Sequence, residues 1–80
     1  MKNYKLQYFS LLGDFTGKSS EELNSASNTP QELYTELQEI YSFKHEVANF
    51  RVAINDEFAE WDQPLQDGDN IVFIPPVAGG

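Results

Sequence analysis

The sequence has no cysteine, a single histidine and few basic residues. Without cysteine, the 80-residue chain can form no disulfide, no thiolate metal site and no cysteine nucleophile. His45 alone cannot hold a metal ion, so neither a metal nor a bound cofactor is expected. The chain has five basic and thirteen acidic residues, a net charge of −8. This charge argues against nucleic acid or an anionic membrane as a partner and favours a basic protein.

Long hydrophobic runs are also missing. No apolar run follows the N-terminal residues 1–5, so neither a signal peptide nor a membrane span is expected, and the cytoplasm is the expected location. The chain is about half as long as a typical domain, which leaves room for one core. Hydrophobic residues make up 40% of the sequence and aromatic residues 14%, too many for a disordered chain. The sequence therefore predicts one small folded domain.

The first third of the chain contains two candidate strands. Residues 4–9 alternate between two faces, which predicts a half-buried strand. The apolar residues Leu11, Leu12 and Phe15 recur at helical spacing before Gly17, which favours a short helix closed by a left-handed glycine. Residues 19–27 are polar, so a strand there would have to lie at an exposed sheet edge.

A long helix is predicted to begin at residue 29. Thr29 can cap it, Pro30 suits its first position, and Glu32 completes a capping box. The apolar stripe expected to pack on a sheet consists of Leu33, Leu37, Ile40 and Tyr41. Lys44 and His45 follow the helix as favourable cations at its C-terminal end.

The second half of the chain predicts a hairpin and a final strand. Residues 50–54 and 57–59 flank Asn55-Asp56, which tolerates the positive φ of a tight turn. A turn-rich stretch follows, with Leu65 as its core residue and Asp67-Gly68-Asp69 before the strand at residues 71–74. The order of elements predicts an α+β domain with one main helix across a mixed sheet.

No catalytic arrangement is recognisable inside this fold. The sequence offers no nucleophile with a base partner, no supported carboxylate pair and no glycine-rich phosphate loop. The acidic residues are interpreted as a solvated surface, and Trp61 as either a packing residue or a partner contact.

The last six residues are the unusual segment. Pro75 and Pro76 stiffen the chain, and Val77 can occupy a partner groove. Ala78, Gly79 and Gly80 follow, and the two glycines allow entry into a channel too narrow for a Cβ atom. Six extended residues reach roughly 20 Å. The reactive group at the tip is the α-carboxylate of Gly80, which another enzyme would have to activate. The alternative interpretation is that Gly79 and Gly80 are simply a frayed chain end without a function.

A resemblance to a known family rests on these C-terminal residues. The residues that carry it are Leu65, Asp67-Gly68-Asp69, Ile71, Val72, Phe73, Pro75-Pro76-Val77 and Gly79-Gly80. Together they resemble the C-terminal signature of the small, sulfur-carrier subunits of molybdopterin synthase, of the MoaD/ThiS type. The resemblance implies a ubiquitin-like β-grasp fold over residues 1–74, with four to five strands on one main helix. Residues 75–80 would form a flexible, extended tail.

The same resemblance implies a chemistry for the tail. The Gly80 carboxylate would be adenylated by a ubiquitin-activating-like adenylyltransferase, which uses the ATP, and then converted to a thiocarboxylate. Inside the large subunit of molybdopterin synthase, this sulfur would pass to cyclic pyranopterin monophosphate to build the dithiolene. The small subunit would donate sulfur without catalysing, because the catalytic residues are expected on the large subunit. The tail residues that would pass into that site ahead of Gly80 are Pro75, Pro76, Val77, Ala78 and Gly79.

A docking surface is expected beside the tail. In a β-grasp sheet the first and last strands are neighbours, so Phe9, Val72 and Ile74 should form one apolar patch on the face away from the helix. Such a patch predicts a heteromer with a larger subunit.

Three other functions stay open at this point. The chain could be a ubiquitin-like modifier joined through Gly80 to a target lysine. It could be the sulfur carrier of thiamin thiazole synthesis, although those carriers typically lack Pro-Pro-Val before Gly-Gly. It could also be an interaction domain with an inert tail.

Overall fold

Five strands and one long helix lie in the part of the chain that the structure describes. The computed structural model describes residues 1–8, 13, 16–42 and 50–74. The elements in chain order are β1 (Lys2–Tyr8), β2 (Ser20–Ser25), α1 (Pro30–Tyr41), β3 (Arg51–Ile54), β4 (Glu57–Ala59) and β5 (Asn70–Ile74).

The strands form one mixed sheet in the order β2-β1-β5-β3-β4. β1 and β5 are parallel, whereas β1–β2, β3–β4 and β3–β5 are antiparallel. The last strand of the described residues, β5, is thus the central strand of the sheet, with β1 on one side and β3 on the other. This topology confirms the predicted α+β, ubiquitin-like β-grasp fold.

The core lies between one face of the sheet and α1. Strand residues alternate between two faces, so every second side chain of β1 and β5 points to the helix. The buried cluster consists of Tyr4, Leu6, Tyr8, Leu33, Tyr34, Leu37, Phe50, Val52, Ile54, Leu65, Ile71 and Phe73. Leu65 is almost fully buried, as the sequence predicts for the turn-rich stretch.

Aromatic rings occupy the centre of this core. Tyr34 is fully buried and its ring centroid lies 5.5 Å from that of Phe50 and 5.2 Å from that of Phe73. Trp61 stacks on Phe73, with centroids 5.7 Å apart and ring planes 6° from parallel. Of the two interpretations of Trp61, the structure supports the packing role. Burial raises the pKa of Tyr34 to about 12.

The start of α1 follows the predicted capping pattern. Thr29 is extended, and its side chain accepts a hydrogen bond from the Glu32 N–H at 3.2 Å. The Glu32 carboxylate accepts in turn from the Asn28 N–H at 2.7 Å, one residue before the position that a regular capping box uses. Pro30 occupies the first turn, where its missing N–H costs nothing.

The apolar stripe of α1 differs from the prediction at one position. Ile40 was expected to face the sheet, but it is 49% exposed, and Tyr34 is buried instead. At about 100° per residue, Tyr34 and Ile40 flank Leu33 on opposite sides. The ring contacts of Tyr34 with Phe50 and Phe73 rotate the helix toward Tyr34 and leave Ile40 at the solvent edge. α1 ends at Tyr41 and is capped by Ser42, which has φ of 57°; Lys44 and His45 lie outside the described residues.

The remaining predicted elements are confirmed where the structure describes them. Gly17 has φ of 73° and its N–H donates to the Gly13 carbonyl at 2.9 Å, which fits the predicted helical closure; Leu11, Leu12 and Phe15 lie outside the described residues. The polar strand β2 lies at the sheet edge. Asn55 and Asp56 have φ of 53° and 71°, as a two-residue hairpin turn requires. Within the described ranges, no helix is long and apolar enough to span a membrane.

We expect Thr29→Ala to lower the free energy of unfolding by about 1 kcal/mol, because the substitution leaves the Glu32 N–H without its side-chain acceptor. Urea unfolding monitored by the fluorescence of Trp61 measures this change. Thr29→Ser keeps the hydroxyl and should retain most of the stability. Equal destabilisation by alanine and serine would contradict the capping role.

Candidate functional site

The candidate site begins where β5 ends. Ile74, the last residue of β5, is paired with Arg51 of β3, while Phe73 is paired with Tyr8 of β1. The chain therefore leaves the sheet from its middle, between two strands that both hold β5. The predicted tail residues Pro75, Pro76, Val77, Ala78, Gly79 and Gly80 lie outside the described residues, as does Phe9.

The start of β5 is fixed by the turn that precedes it. The Asn55 N–H donates to the Asn70 carbonyl at 2.8 Å, and the Asn70 N–H donates back to the Asn55 side chain at 3.0 Å. The Asn55 amide also donates to the Asp69 carboxylate at 3.0 Å, which accepts from the Gln66 N–H at 2.8 Å. Gly68 takes φ of 87° in this turn. The Asp67-Gly68-Asp69 motif thus sets the register of the strand that carries the tail.

The sheet face away from α1 carries an apolar patch next to this exit. Val72 is paired with Ala53, which is paired in turn with Phe58, so the three side chains lie in one row across β5, β3 and β4. Ile74 lies on the same face, two residues after Val72 and at the point where the chain leaves the sheet. We call Ala53, Phe58, Val72 and Ile74 the outer patch. With Asp56 they line a shallow hollow of about 220 Å³.

The members of the outer patch differ in exposure. Ala53 and Val72 are 8% and 7% exposed, and Ile74 is half-buried. Phe58 is 71% exposed and stands above this floor. A large aromatic side chain in water beside an apolar floor is typical of a contact residue at a protein interface.

The structure brings together two of the three patch residues expected from the sequence. Val72 and Ile74 lie on the predicted face, and their role in binding stays a prediction. Sequence reasoning missed Phe58 and Ala53. The signal was present, because a two-residue turn at Asn55-Asp56 pairs Ala53 with Phe58 and so places both on one face.

A polar cluster holds the end of β1 beside the exit. The hydroxyls of Tyr8 and Tyr41 each donate to the Glu21 carboxylate at 2.5 Å, and the Lys18 ammonium lies 3.2 Å from its other oxygen. Burial opposes ionisation of Glu21, but the bonds from Tyr41, Tyr8 and Lys18 prevail and lower its pKa. Burial, together with the bond to Glu21, raises the pKa of Tyr8 well above its ordinary value.

The described residues contain no cluster of metal ligands. Over residues 1–8, 13, 16–42 and 50–74, no group of three or more histidine or acidic side chains is placed to hold a metal ion. This geometry can present the residues that follow Ile74 from a firmly held strand. The outer patch beside that point is an apolar surface suited to docking.

Comparison with known families gives one match over nearly the whole chain. Residues 6–80 match the model described as the ThiS family. A molybdopterin synthase sulfur carrier subunit from Aspergillus niger is 30% identical over 83 positions, which cover 96% of this chain and 93% of that protein. The protein of the same name from Escherichia coli is 27% identical over 79 positions, which cover 95% of this chain and 98% of that protein.

Solved structures share the fold. Small archaeal modifier protein 1 of Haloferax volcanii superposes with a TM-score of 0.81 at 17% identity, covering 96% of this chain and all of that one, and shows the fold alone. A complex of subunits 1 and 2 of the molybdopterin-converting factor from Helicobacter pylori contains a chain with a TM-score of 0.67 and 28% identity. That match covers 98% of this chain and 99% of the other.

We expect Glu21→Gln to lower the free energy of unfolding at pH 7 by about 1 kcal/mol, because Gln accepts the two tyrosine bonds without a charge. The folded pKa of Glu21 lies below its ordinary value of 4.5, so its contribution is present above that pH and is lost as the pH falls through the folded pKa. The difference between parent and variant should therefore shrink in acid.

Urea unfolding at pH 7 and pH 3 measures this difference, and Glu22→Gln, which removes the same charge from the next residue of β2, is the control. A deficit of Glu21→Gln that is the same at both pH values would contradict the assignment.

Proposed function

The chain belongs to the ThiS family, and from this premise we propose that it is a sulfur carrier in molybdenum cofactor biosynthesis. The observation that carries the proposal is the similarity to proteins named molybdopterin synthase sulfur carrier subunit. The fungal and bacterial relatives match 96% and 95% of this chain. The family match also runs through Gly79 and Gly80, the residues on which the proposed chemistry depends.

In the proposed reaction, Gly80 carries the sulfur as a C-terminal thiocarboxylate. Its carboxylate oxygen attacks the α-phosphorus of ATP on an adenylyltransferase, which releases pyrophosphate and forms an acyl-adenylate. Sulfur supplied at the oxidation level of sulfide then displaces AMP. In the large subunit, the thiocarboxylate sulfur would replace an oxygen substituent on a carbon of cyclic pyranopterin monophosphate. Hydrolysis of the resulting thioester would leave the sulfur on that carbon and return Gly80 as a carboxylate, and two such transfers supply the dithiolene. ATP and the catalytic groups belong to the partners.

The fold suits this role because it separates the carrier group from the core. β5 is paired along both of its edges, so the point at which the tail departs is held firmly. From Ile74, the six residues Pro75 to Gly80 can extend roughly 20 Å into a partner. In this proposal Pro75 and Pro76 keep the tail extended and Val77 and Ala78 contact the channel wall. Gly79 passes where a Cβ atom would not fit.

The outer patch is the proposed seat of the large subunit. It contains Ile74, the last described residue before the tail, and Phe58 presents most of its side chain to solvent there. A partner seated on the patch would receive the tail without any rearrangement of the sheet. The Helicobacter pylori neighbour is a complex of two subunits of the molybdopterin-converting factor, which supports a heteromer here.

We expect incubation with ATP, the adenylyltransferase and a sulfide donor to raise the intact mass by the difference between sulfur and oxygen. Fragmentation should locate the change at Gly80. Deletion of Gly80 should abolish the shift and leave the urea unfolding midpoint unchanged, because Gly80 lies six residues beyond the last strand. An unmodified parent in the presence of a competent adenylyltransferase would contradict the proposal.

The same preparation distinguishes the alternatives. A thiocarboxylate that converts cyclic pyranopterin monophosphate with the large subunit supports molybdopterin synthesis. One that is consumed only in thiazole formation points to the thiamin pathway. Isopeptide adducts of Gly80 with lysine would instead identify a protein modifier.

We expect Phe58→Ala to weaken binding of the large subunit by about tenfold or more, because an exposed aromatic side chain at the centre of an interface contributes strongly to affinity. Isothermal titration calorimetry with the purified large subunit measures this effect. Ile40→Ala is the matched control: Ile40 is also exposed, at 49%, but belongs to α1 on the opposite side of the sheet. Similar affinities of the two variants would exclude the outer patch as the seat.

A further inference from the structure

Positive charge is scarce in this chain, and the structure places one cation at the outer patch. Four cations lie in the described parts of the chain. Lys2 donates to a backbone carbonyl at 2.9 Å, and Lys18 pairs with a carboxylate. Lys5 lies on the face away from α1 and has Glu22 as its cross-strand partner. Arg51 differs from these three, because its cross-strand partner is the apolar Ile74.

The Arg51 guanidinium rests on an aromatic ring of the patch and forms no ion pair with the described residues. Its central carbon lies 5.9 Å from the ring centroid of Phe58, the arrangement of a cation–π contact. Glu60 lines the same 260 Å³ hollow as Arg51 and Phe58. Even so, no carboxylate of the described residues comes within 4 Å of the guanidinium. The one ion pair among those residues joins Lys18 and Glu21.

Docking at the outer patch would change the surroundings of this guanidinium. A partner that covers Phe58 and Ile74 also removes water from Arg51, which lies against both. A desolvated cation without a partner is costly, whereas a planar guanidinium with a carboxylate can form two parallel hydrogen bonds. The interface therefore has to supply an acceptor at this position, and a carboxylate matches its charge and shape.

The net charge makes such a contact selective. At −8, the chain as a whole repels an acidic partner surface. A partner carboxylate needs a cation to pair with, and beside the outer patch the described cation is Arg51, while Asp56 and Glu60 line the adjoining hollows and repel a carboxylate placed elsewhere. A partner basic at its periphery and acidic at this single point would fit the chain in one orientation.

We propose that Arg51, stacked on Phe58, selects the partner by receiving an acidic side chain of the large subunit at the point where the tail leaves the sheet. This inference rests on the proposed sulfur-carrier function and adds the chemistry that the docking partner must present. Arg51 is a specificity-determining residue here and takes no part in sulfur transfer.

The test is the affinity of the full chain for the purified large subunit, measured by calorimetry at low and high salt. We expect Arg51→Ala to weaken binding by about tenfold or more and Arg51→Glu to weaken it further. Arg51→Lys should recover part of the loss, because it restores the charge without the planar fork. Lys5→Ala, which removes a cation from the polar half of the same face, should change the affinity less than about threefold.

Two further readouts separate an ion pair from a structural effect. The loss caused by Arg51→Ala should shrink at high salt, and its urea unfolding midpoint should equal that of the parent. Arg51 variants should also form the Gly80 thiocarboxylate in amounts equal to the parent, since that step uses a different partner.

Unchanged affinity of Arg51→Glu in a parent that binds and is sulfurated would overturn the inference and leave the proposed function intact. Weakening by Arg51→Ala that does not depend on salt would overturn it as well. A parent that neither binds the large subunit nor forms a thiocarboxylate would overturn the proposed function together with the inference.

Discussion

The pairing of β5 along both of its edges is the constraint on which the rest of the structure depends. β1 holds it in parallel and β3 in antiparallel register, so the last strand of the described residues occupies the centre of the sheet. Parallel pairing with the first strand can form only after the whole chain is available. The burial of Phe73 beneath Tyr34 and Trp61 fixes this strand from the helix side. The tail therefore departs from the part of the domain that is most highly constrained.

The two faces of this central strand have different tasks. Ile71 and Phe73 are fully buried against α1, whereas Val72 and Ile74 point to the outer patch. The first face packs in the core, and the second is the face on which docking is proposed. This division follows from the two-residue period of a strand and needs no additional domain. In a chain of 80 residues, one strand can thus support both the core and the docking surface.

Local signals in the sequence were enough for most of the fold. Thr29 and Glu32 marked the start of α1 because capping acts within one turn, and Asn55-Asp56 marked the hairpin because few residues tolerate two positive φ values. The burial of Tyr34 in place of Ile40 was not predictable in this way. It depends on ring contacts with Phe50 and Phe73, which come from other parts of the chain.

The candidate site shows the same limit. Val72 and Ile74 followed from strand alternation, whereas Phe58 was missed because its partner Ala53 had to be placed beside β5 first. The cluster of Tyr8, Glu21 and Tyr41 joins β1, β2 and α1 and left no pattern in any one of them.

The separation of folding from delivery is the main consequence of this architecture. In the part of the chain that the structure describes, the last core residue is Phe73, and β5 ends one residue later. In the proposed function, a group carried at Gly80 would therefore make no demand on the core. The polar edge strand β2 is separated from β5 by β1, so its polar side chains do not border the central strand. The domain thus supplies a fixed point of departure for the tail, and the outer patch lies beside that point.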